Sequence, residues 1–340
     1  MNKPKIDVLV TLPLTDAQVN DLRSVSSRIR ITCFPVNASS EIPGDAWKRT
    51  EVLYTGNIFP EPGQVPSLKW IQSHFAGIDT LLESQIGKTQ GIFVTSLSGA
   101  AASQSAEYAL GMILALSRQM PRLWAMQQRK EWPADRWGKF PPVEIRGSTV
   151  GLVGYGSLNR ELARLMKPMG AKILAAKLNA RRPQDEGYTP EGLGDPQGDL
   201  FDRLYPFQAL NSMLMLCDFV VVAVPLTPRT RKMISKGEFE AMKPGAFLVN
   251  LSRGGIVDET ALVEALESRR LGGAALDVFD TEPLPVSSPL WTEPNVIITP
   301  HIAGISRNYL ERAIEMFKAN LTRYVEGEPL LNLYDPDKGY

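Results

Sequence analysis

Only two histidines occur in the 340 residues, and His301 lies in the richer chemical context. It follows the run Val296-Ile297-Ile298-Thr299-Pro300, which reads as a short buried strand ending at a proline. Upstream come Gly154-Tyr155-Gly156, then Asn250-Leu251-Ser252-Arg253-Gly254-Gly255, then Asp277-Val278-Phe279-Asp280-Thr281-Glu282-Pro283. Each group lies just past an apolar run. A glycine turn before a helix suits a pyrophosphate, a guanidinium fork suits a carboxylate, and an imidazole can move a proton near neutral pH. Together they are the parts of a nicotinamide-dependent hydride and proton transfer.

The glycine turn follows the strand Val150–Val153 and precedes Leu158, Leu162, Leu165 and Met166 at helical spacing. Gly154 permits the tight turn, and Gly156 lets an anion approach free amides at the helix start. A complete fingerprint carries a third glycine, where this chain has Asn159. That departure predicts a helix set slightly further out. Taken alone, Gly-x-Gly is also a plain strand–helix turn. The next strand should end in an acidic residue for the ribose hydroxyls of NAD. Here that position holds Lys177, with Asn179, Arg181 and Arg182 following. Guanidinium groups bind a 2′-phosphate well, so NADP(H) is the expected cofactor, with NAD(H) also used. The plainer reading of this stretch is a solvated basic turn.

Arg253, past the strand Ala246–Asn250, is expected at the carboxyl end of the sheet, where ligands bind in open α/β folds. On its own it could be a surface ion-pair partner. Asp277 is placed either to hold the nicotinamide amide or to cap the following turn. Glu282 alone reads as a turn residue and His301 alone as a structural histidine. Paired, they say more, because a carboxylate within hydrogen-bond reach favours the imidazolium that a proton donor requires. His74 either lines a substrate pocket or serves local hydrogen bonding.

The surrounding elements follow an α/β rhythm of short apolar runs and helical patterns. Strands are predicted at Val8–Thr11, Arg30–Phe34, Val52–Thr55, Leu68–Ser73 and Ile92–Thr95. A second series follows at Val150–Val153, Ile173–Ala176, Phe219–Val224, Ala246–Asn250, Gly273–Leu276 and Val296–Thr299. Short helices are expected at Asp16–Val25 and Asp79–Ile86. Ser103–Arg118 is a long helix of small residues suited to packing on another helix, and Asn308–Val325 is a closing helix. Gln127–Val143, with Trp132, Trp137 and three prolines, reads as an extended arm, and Arg182–Tyr205 as a long solvated loop.

Composition narrows the class. The chain is 44% hydrophobic and 22% charged, a globular balance whose length suggests about two domains. Thirty-seven basic residues balance 37 acidic ones, which argues against nucleic-acid or anionic-membrane partners. Cys33 and Cys217 are too few for a disulfide framework, and Cys217 reads as a small buried hydrophobe. The N-terminus, with Lys3 and Lys5, is broken by Asp7, Pro13 and Asp16, unlike a secretory signal. A cytoplasmic location is the expectation.

The motifs, in this order, resemble the D-isomer-specific 2-hydroxyacid dehydrogenase family: Gly-Tyr-Gly, Asn-Leu-Ser-Arg-Gly-Gly, Asp-Val-Phe-Asp-Thr-Glu-Pro and Thr-Pro-His-Ile-Ala-Gly. The likeness runs from Leu68-Lys69-Trp70-Ile71-Gln72 to the closing helix. It implies two Rossmann-like doubly wound parallel-sheet domains: a discontinuous substrate domain, 1–103 with 304–340, and a dinucleotide-binding domain, 104–303. It implies that Arg253 binds the substrate carboxylate, that Glu282 and His301 move the proton, and that the Phe75-Ala76-Gly77 loop binds the carboxylate through backbone amides. It further implies cofactor contacts at Ser105, Gly154, Gly156, Ser157, Leu158, Pro225, Ser252, Asp277, His301 and Gly304, and a homodimer. The expected activity is reduction of a small 2-keto acid, such as glyoxylate or hydroxypyruvate, to a D-2-hydroxy acid. Two alternatives stand beside it. One is a catalytically weak NAD(P)-sensing binding protein, which would not need the Arg, Glu and His. The other is a formate- or phosphite-type dehydrogenase, although formate relatives carry Gln where Glu282 stands.

Overall fold

The structure, a computed structural model, describes residues 4–185 and 187–340. Lys3, and residue 186 of the predicted loop, lie outside the described residues. The chain divides into two units, residues 1–101 with 306–340, and residues 102–305.

In the first unit the elements are β1 (Ile6–Val10), α1 (Asp16–Arg23), β2 (Ile29–Cys33), α2 (Gly44–Arg49), β3 (Val52–Thr55), β4 (Trp70–Ser73), α3 (Asp79–Glu83) and β5 (Phe93–Thr95). All strands run parallel in the order β2-β1-β3-β4-β5. Leu9, Leu53, Ile71 and Val94 pack with Trp47 and Leu81 in one core. The closing helix, Tyr309–Glu326, stacks Phe317 on Tyr54 at 4.3 Å between ring centroids. A buried polar chain also ties it down. Trp70 Nε1 donates to Thr95 Oγ1 (2.7 Å), Thr95 Oγ1 to Gln72 Oε1 (2.9 Å), and Asn320 Nδ2 to the same oxygen (3.1 Å). Each group finds a partner, as burial of polar atoms requires.

The second unit runs α4 (Ala102–Ser117), α5 (Met120–Gln128), α6 (Arg136–Lys139), β6 (Thr149–Val153), α7 (Ser157–Met166), β7 (Lys172–Lys177), β8 (Arg203–Pro206), α8 (Leu210–Leu214), β9 (Phe219–Val222), α9 (Lys236–Ala241), β10 (Ala246–Asn250), α10 (Glu259–Glu267), β11 (Leu271–Leu276) and β12 (Val296–Ile298). Its sheet is parallel throughout, in the order β12-β11-β10-β9-β6-β7-β8. Alternate strand residues serve opposite faces. Val150, Leu152, Val221 and Val249 meet Ala106, Ala109 and Ile113 of α4 and Leu162, Ala163 and Met166 of α7. Val153, Val220, Val222 and Leu248 meet Met213, Phe239 and Leu262 of α8–α10. Burial on both sides explains why β9 and β10 are almost uninterrupted apolar runs. Each fully buried large aliphatic side chain contributes about 1.5–3 kcal/mol. The chain reverses direction across the sheet between β6 and β9, and ligands of such folds bind at that switch point, past the carboxyl strand ends.

Two expectations change. The loop predicted as solvated over 182–205 contains buried Asp195 and ends in β8, which pairs with β7. Its polar composition serves internal hydrogen bonds, so polarity there does not report exposure. The arm at Gln127–Val143 takes up the last two residues of α5 and all of α6, its prolines lying outside both helices. Asn159 stands where a complete fingerprint carries its third glycine. It is wholly buried, and its Nδ2 donates to Gly154 O (2.7 Å) and Val153 O (3.4 Å), so the side chain bonds the end of the strand it follows.

Candidate active site

The glycine turn is built by two different constraints. Gly154 has φ +88°, and a Cβ there would come within 2.4 Å of Ala223 O, so the fold itself demands glycine. Gly156 has φ −97°, and a Cβ there meets no described atom within 4 Å. That glycine therefore keeps open space at the N-terminus of α7, where half-buried Ser157 and Leu158 begin the helix. Free amides and the helix dipole favour an anion at that place. A dinucleotide pyrophosphate fits it.

At the end of β7 the basic turn is exposed at Arg181 and Arg182. Lys177 differs. Its ammonium donates to Arg182 O (2.9 Å) and Gln184 O (2.8 Å), turning back onto its own chain. Pro225, past β9, is exposed, and its carbonyl accepts from Thr230 Oγ1 (2.7 Å).

Arg253 follows β10, and its Nη1 donates to Ser252 O (2.8 Å). Ser252 is buried, its Oγ on Asn250 Oδ1 at 2.6 Å. Glycines fix the turn beyond. A Cβ on Gly254 would stand 1.9 Å from Phe279 O, and Gly255 has φ +78° while its amide donates to Asp280 Oδ1 (2.6 Å). The glycine side of the turn is thus set by backbone contacts, while the guanidinium itself bonds the carbonyl just before it.

Past β11, Asp277 is almost wholly buried. Oδ1 accepts from Thr299 Oγ1 (2.6 Å) and Ile302 N (2.8 Å), and Oδ2 from Ala303 N (2.8 Å). Of its two expected roles the structure displays the turn-capping one, and the turn it caps carries His301. Tyr108 of α4 extends the chain of bonds. Because Thr299 Oγ1 donates to Asp277, the phenol must donate to Thr299 Oγ1 (2.7 Å), and burial pushes its pKa up to about 12. Tyr108 carried no signal in the sequence, since it belongs to no catalytic pattern, and Thr299, though it opens the Thr-Pro-His-Ile-Ala-Gly motif, was given no role of its own there. On the same α4, Ser105 Oγ donates to Ala303 O (3.3 Å) and Gln104 Nε2 to Gly304 O (2.9 Å).

His301 follows β12 with φ +54°, in the left-handed region that a non-glycine residue occupies only when its surroundings hold it. Its Nδ1 lies 2.8 Å from Glu282 Oε2, and Glu282 Oε1 accepts from Phe279 N (3.0 Å). An ionised carboxylate only accepts, so Nδ1 must carry the hydrogen and Nε2 is the nitrogen left for chemistry. The imidazole is 44% exposed, open to a substrate. This dyad can donate a proton from Nε2 or accept one there.

In the first unit, Phe75 and Ala76 are exposed and Gly77 is half-buried. Leu97 N donates to Phe75 O (3.0 Å) and Phe75 N to Ser73 Oγ (3.1 Å), which anchors the start of the loop. His74 beside it shares a 2.8 Å hydrogen bond with the Tyr54 hydroxyl, and its carbonyl accepts from Tyr309 Oη (2.6 Å). Burial lowers the His74 pKa to about 4, so the ring is neutral near pH 7 and its local bonding role is realised. Among the described residues there is no His, Cys, Asp and Glu cluster suited to a metal, and no helix long and apolar enough to cross a membrane.

Residues 110–303 match the family described as "D-isomer specific 2-hydroxyacid dehydrogenase, NAD binding domain". The chain is 32% identical over 276 residues to the glyoxylate reductase of Thermococcus litoralis, covering 80% of this chain and 78% of that protein. It is 32% identical over 271 residues to the glycerate dehydrogenase of Methylorubrum extorquens, covering 78% and 79%. Among solved structures, a D-isomer specific 2-hydroxyacid dehydrogenase from Xanthobacter autotrophicus Py2, in complex with NADPH and MES, aligns with a TM-score of 0.80 at 27% identity. That alignment covers 99% of this chain and all of the other.

Proposed function

The chain belongs to the D-isomer-specific 2-hydroxyacid dehydrogenases, nicotinamide-dependent oxidoreductases, and from that premise we propose that it reduces small 2-keto acids, glyoxylate or hydroxypyruvate, with NADPH preferred and NADH also used. The observation that carries this reading is the 2.8 Å contact between His301 Nδ1 and Glu282 Oε2. The Gly154–Gly156 turn would hold the pyrophosphate of a nicotinamide dinucleotide, which when bound would supply the hydride to the keto carbon. His301 delivers the Nε2 proton to the carbonyl oxygen, and Glu282 holds the ring in the required tautomer and offsets its charge. Arg253 takes the substrate carboxylate in its fork. The amides of the Phe75–Gly77 loop are proposed as further donors to that carboxylate. Asp277 keeps the His301 turn in place. A binding protein without turnover would have no use for this dyad, and no observation favours the formate-type alternative.

Cofactor preference rests on Arg181 and Arg182. Two charge-assisted contacts contribute roughly 1.5–3 kcal/mol each when well made, which would exceed about tenfold, and under ~1 kcal/mol each when solvated. Arg181 and Arg182 are exposed, which erodes the figure, so a preference for NADPH with NADH still used is expected. The test is kcat/KM for a panel of 2-keto acids with NADPH and NADH in parallel. Arg181→Ala with Arg182→Ala should raise KM for NADPH about tenfold and leave KM for NADH almost unchanged. A wild type that favours NADH, or turns over no 2-keto acid, defeats the reading.

We also propose a homodimer through the 127–143 arm. Trp132 and Trp137 are 85% and 83% exposed, and bare aromatic surface of this kind is enriched at interfaces. Sedimentation of the protein at micromolar concentration should give twice the chain mass. A monomer there rules the interface out.

A further inference from the structure

A fully buried arginine lies one turn into α7, outside every motif that assigns a role. Arg160 has no exposed surface, and its guanidinium is 4.6 Å from the centre of the Tyr155 ring. Nη1 donates to Asp195 O and Nη2 to Pro183 O, while Nε lies 3.4 Å from Asp185 Oδ2. Tyr155 completes the circuit, its hydroxyl donating to Asp195 Oδ2 at 2.6 Å. Asp195 Oδ1 in turn accepts from the Gly198 and Asp199 amides, both at 3.0 Å. Burial works to raise the Asp195 carboxyl, but these hydrogen bonds outweigh it and hold the group below the usual carboxylate range.

Pro183 follows Arg182 directly. Its carbonyl is therefore gripped from inside by Arg160, while Lys177 grips the carbonyls of Arg182 and Gln184 on either side of it. Asn179 closes the near end, accepting from Arg181 N at its side chain (3.2 Å) and from Arg182 N at its carbonyl (3.2 Å). The same short helix thus begins at the open glycine turn and, one turn later, holds the basic turn at the end of the neighbouring strand. A buried charge with several partners is costly to disturb and so makes a rigid strut.

We propose that Arg160, with Tyr155, Asp195 and Lys177, consists of positioning residues that fix the turn bearing Arg181 and Arg182, and so determine discrimination between NADPH and NADH. This rests on the cofactor reading above. It departs from a direct role for Lys177, whose ammonium braces the turn.

Two variants test it, because removing Arg160 outright would take the guanidinium donors from the Asp195 and Pro183 carbonyls and leave a cavity in the core. Arg160→Lys keeps the charge but loses the fork. Tyr155→Phe keeps the ring under the guanidinium and removes only the hydroxyl. Dissociation constants for NADPH and NADH and hydrogen exchange of the 178–185 amides are measured on wild type, both variants and the Arg181→Ala, Arg182→Ala protein. For Arg160→Lys the NADPH to NADH affinity ratio should fall about tenfold, with NADH affinity within about twofold and exchange at the turn faster, as expected for loss of charge-assisted contacts. Tyr155→Phe should shift the same readouts by a smaller factor. Equal weakening of both cofactors, or unchanged exchange at 178–185, overturns the positioning role. If instead exchange responds but wild type does not favour NADPH, the cofactor reading fails and the proposed link to specificity fails with it. The exchange arm distinguishes the two results.

Discussion

His301→Ala is expected to lower kcat by ~10²–10⁴ while NADPH still binds, because a positioned general acid contributes about that factor. The backbone needs a control. His301 has φ +54°, and alanine there carries a left-handed strain of roughly 1–2 kcal/mol that histidine already bears within its hydrogen-bonded turn. Asparagine tolerates that region better and has no titratable nitrogen near neutral pH. His301→Asn should therefore be as inactive as His301→Ala, with a melting temperature closer to wild type. The turn itself is held by Asp277 through Ile302 N and Ala303 N, independently of the imidazole, so both variants should fold. Near-normal turnover in either folded variant removes His301 from the proton path. Recovery in the asparagine variant alone would place the defect in the backbone.

The second large effect is expected at Arg253. Arg253→Lys keeps the charge but cannot match a carboxylate with two parallel hydrogen bonds. Losing one charge-assisted bond, roughly 1.5–3 kcal/mol, should lower kcat/KM for the 2-keto acid about 10- to 100-fold. NADPH affinity should change less than about twofold, since the substrate carboxylate is what the fork is proposed to hold. The turn just beyond is held by contacts that do not involve the side chain, Gly254 against Phe279 O and Gly255 on Asp280 Oδ1, whereas the bond from Arg253 to Ser252 O does. Similar losses for cofactor and substrate would indicate that the residue maintains the turn.

Much of this arrangement was legible in the chain because its carriers are local. An apolar run such as Phe219–Val222 can only be a buried strand, and Gly154 before a helical pattern can only turn. Arg253, Glu282 and His301 each follow such a run, so their placement past the carboxyl ends of β10, β11 and β12 follows from strand direction once the sheet is parallel. The family motifs are legible for the same reason.

What tertiary structure decided is the fate of polar side chains, because their partners are distant in sequence. Arg160 looks like any solvent-facing arginine on a helix, and only folding brings the Asp195 carbonyl, 35 residues away, to its guanidinium. Lys177 carries a charge suited to a phosphate, yet the turn of the chain places two carbonyls within its reach. The loop after β7 has a solvated composition, but Asp195 takes its hydrogen bonds from Tyr155 and nearby amides in the interior. Asp277 could have faced a cofactor or a turn, and the return of β12 beside β11 brought the amides of residues 302 and 303 to its oxygens. Hydrophobic periodicity is written residue by residue along the chain. Whether a charge is buried depends on which donors and acceptors the fold later carries to it, and no local pattern records that.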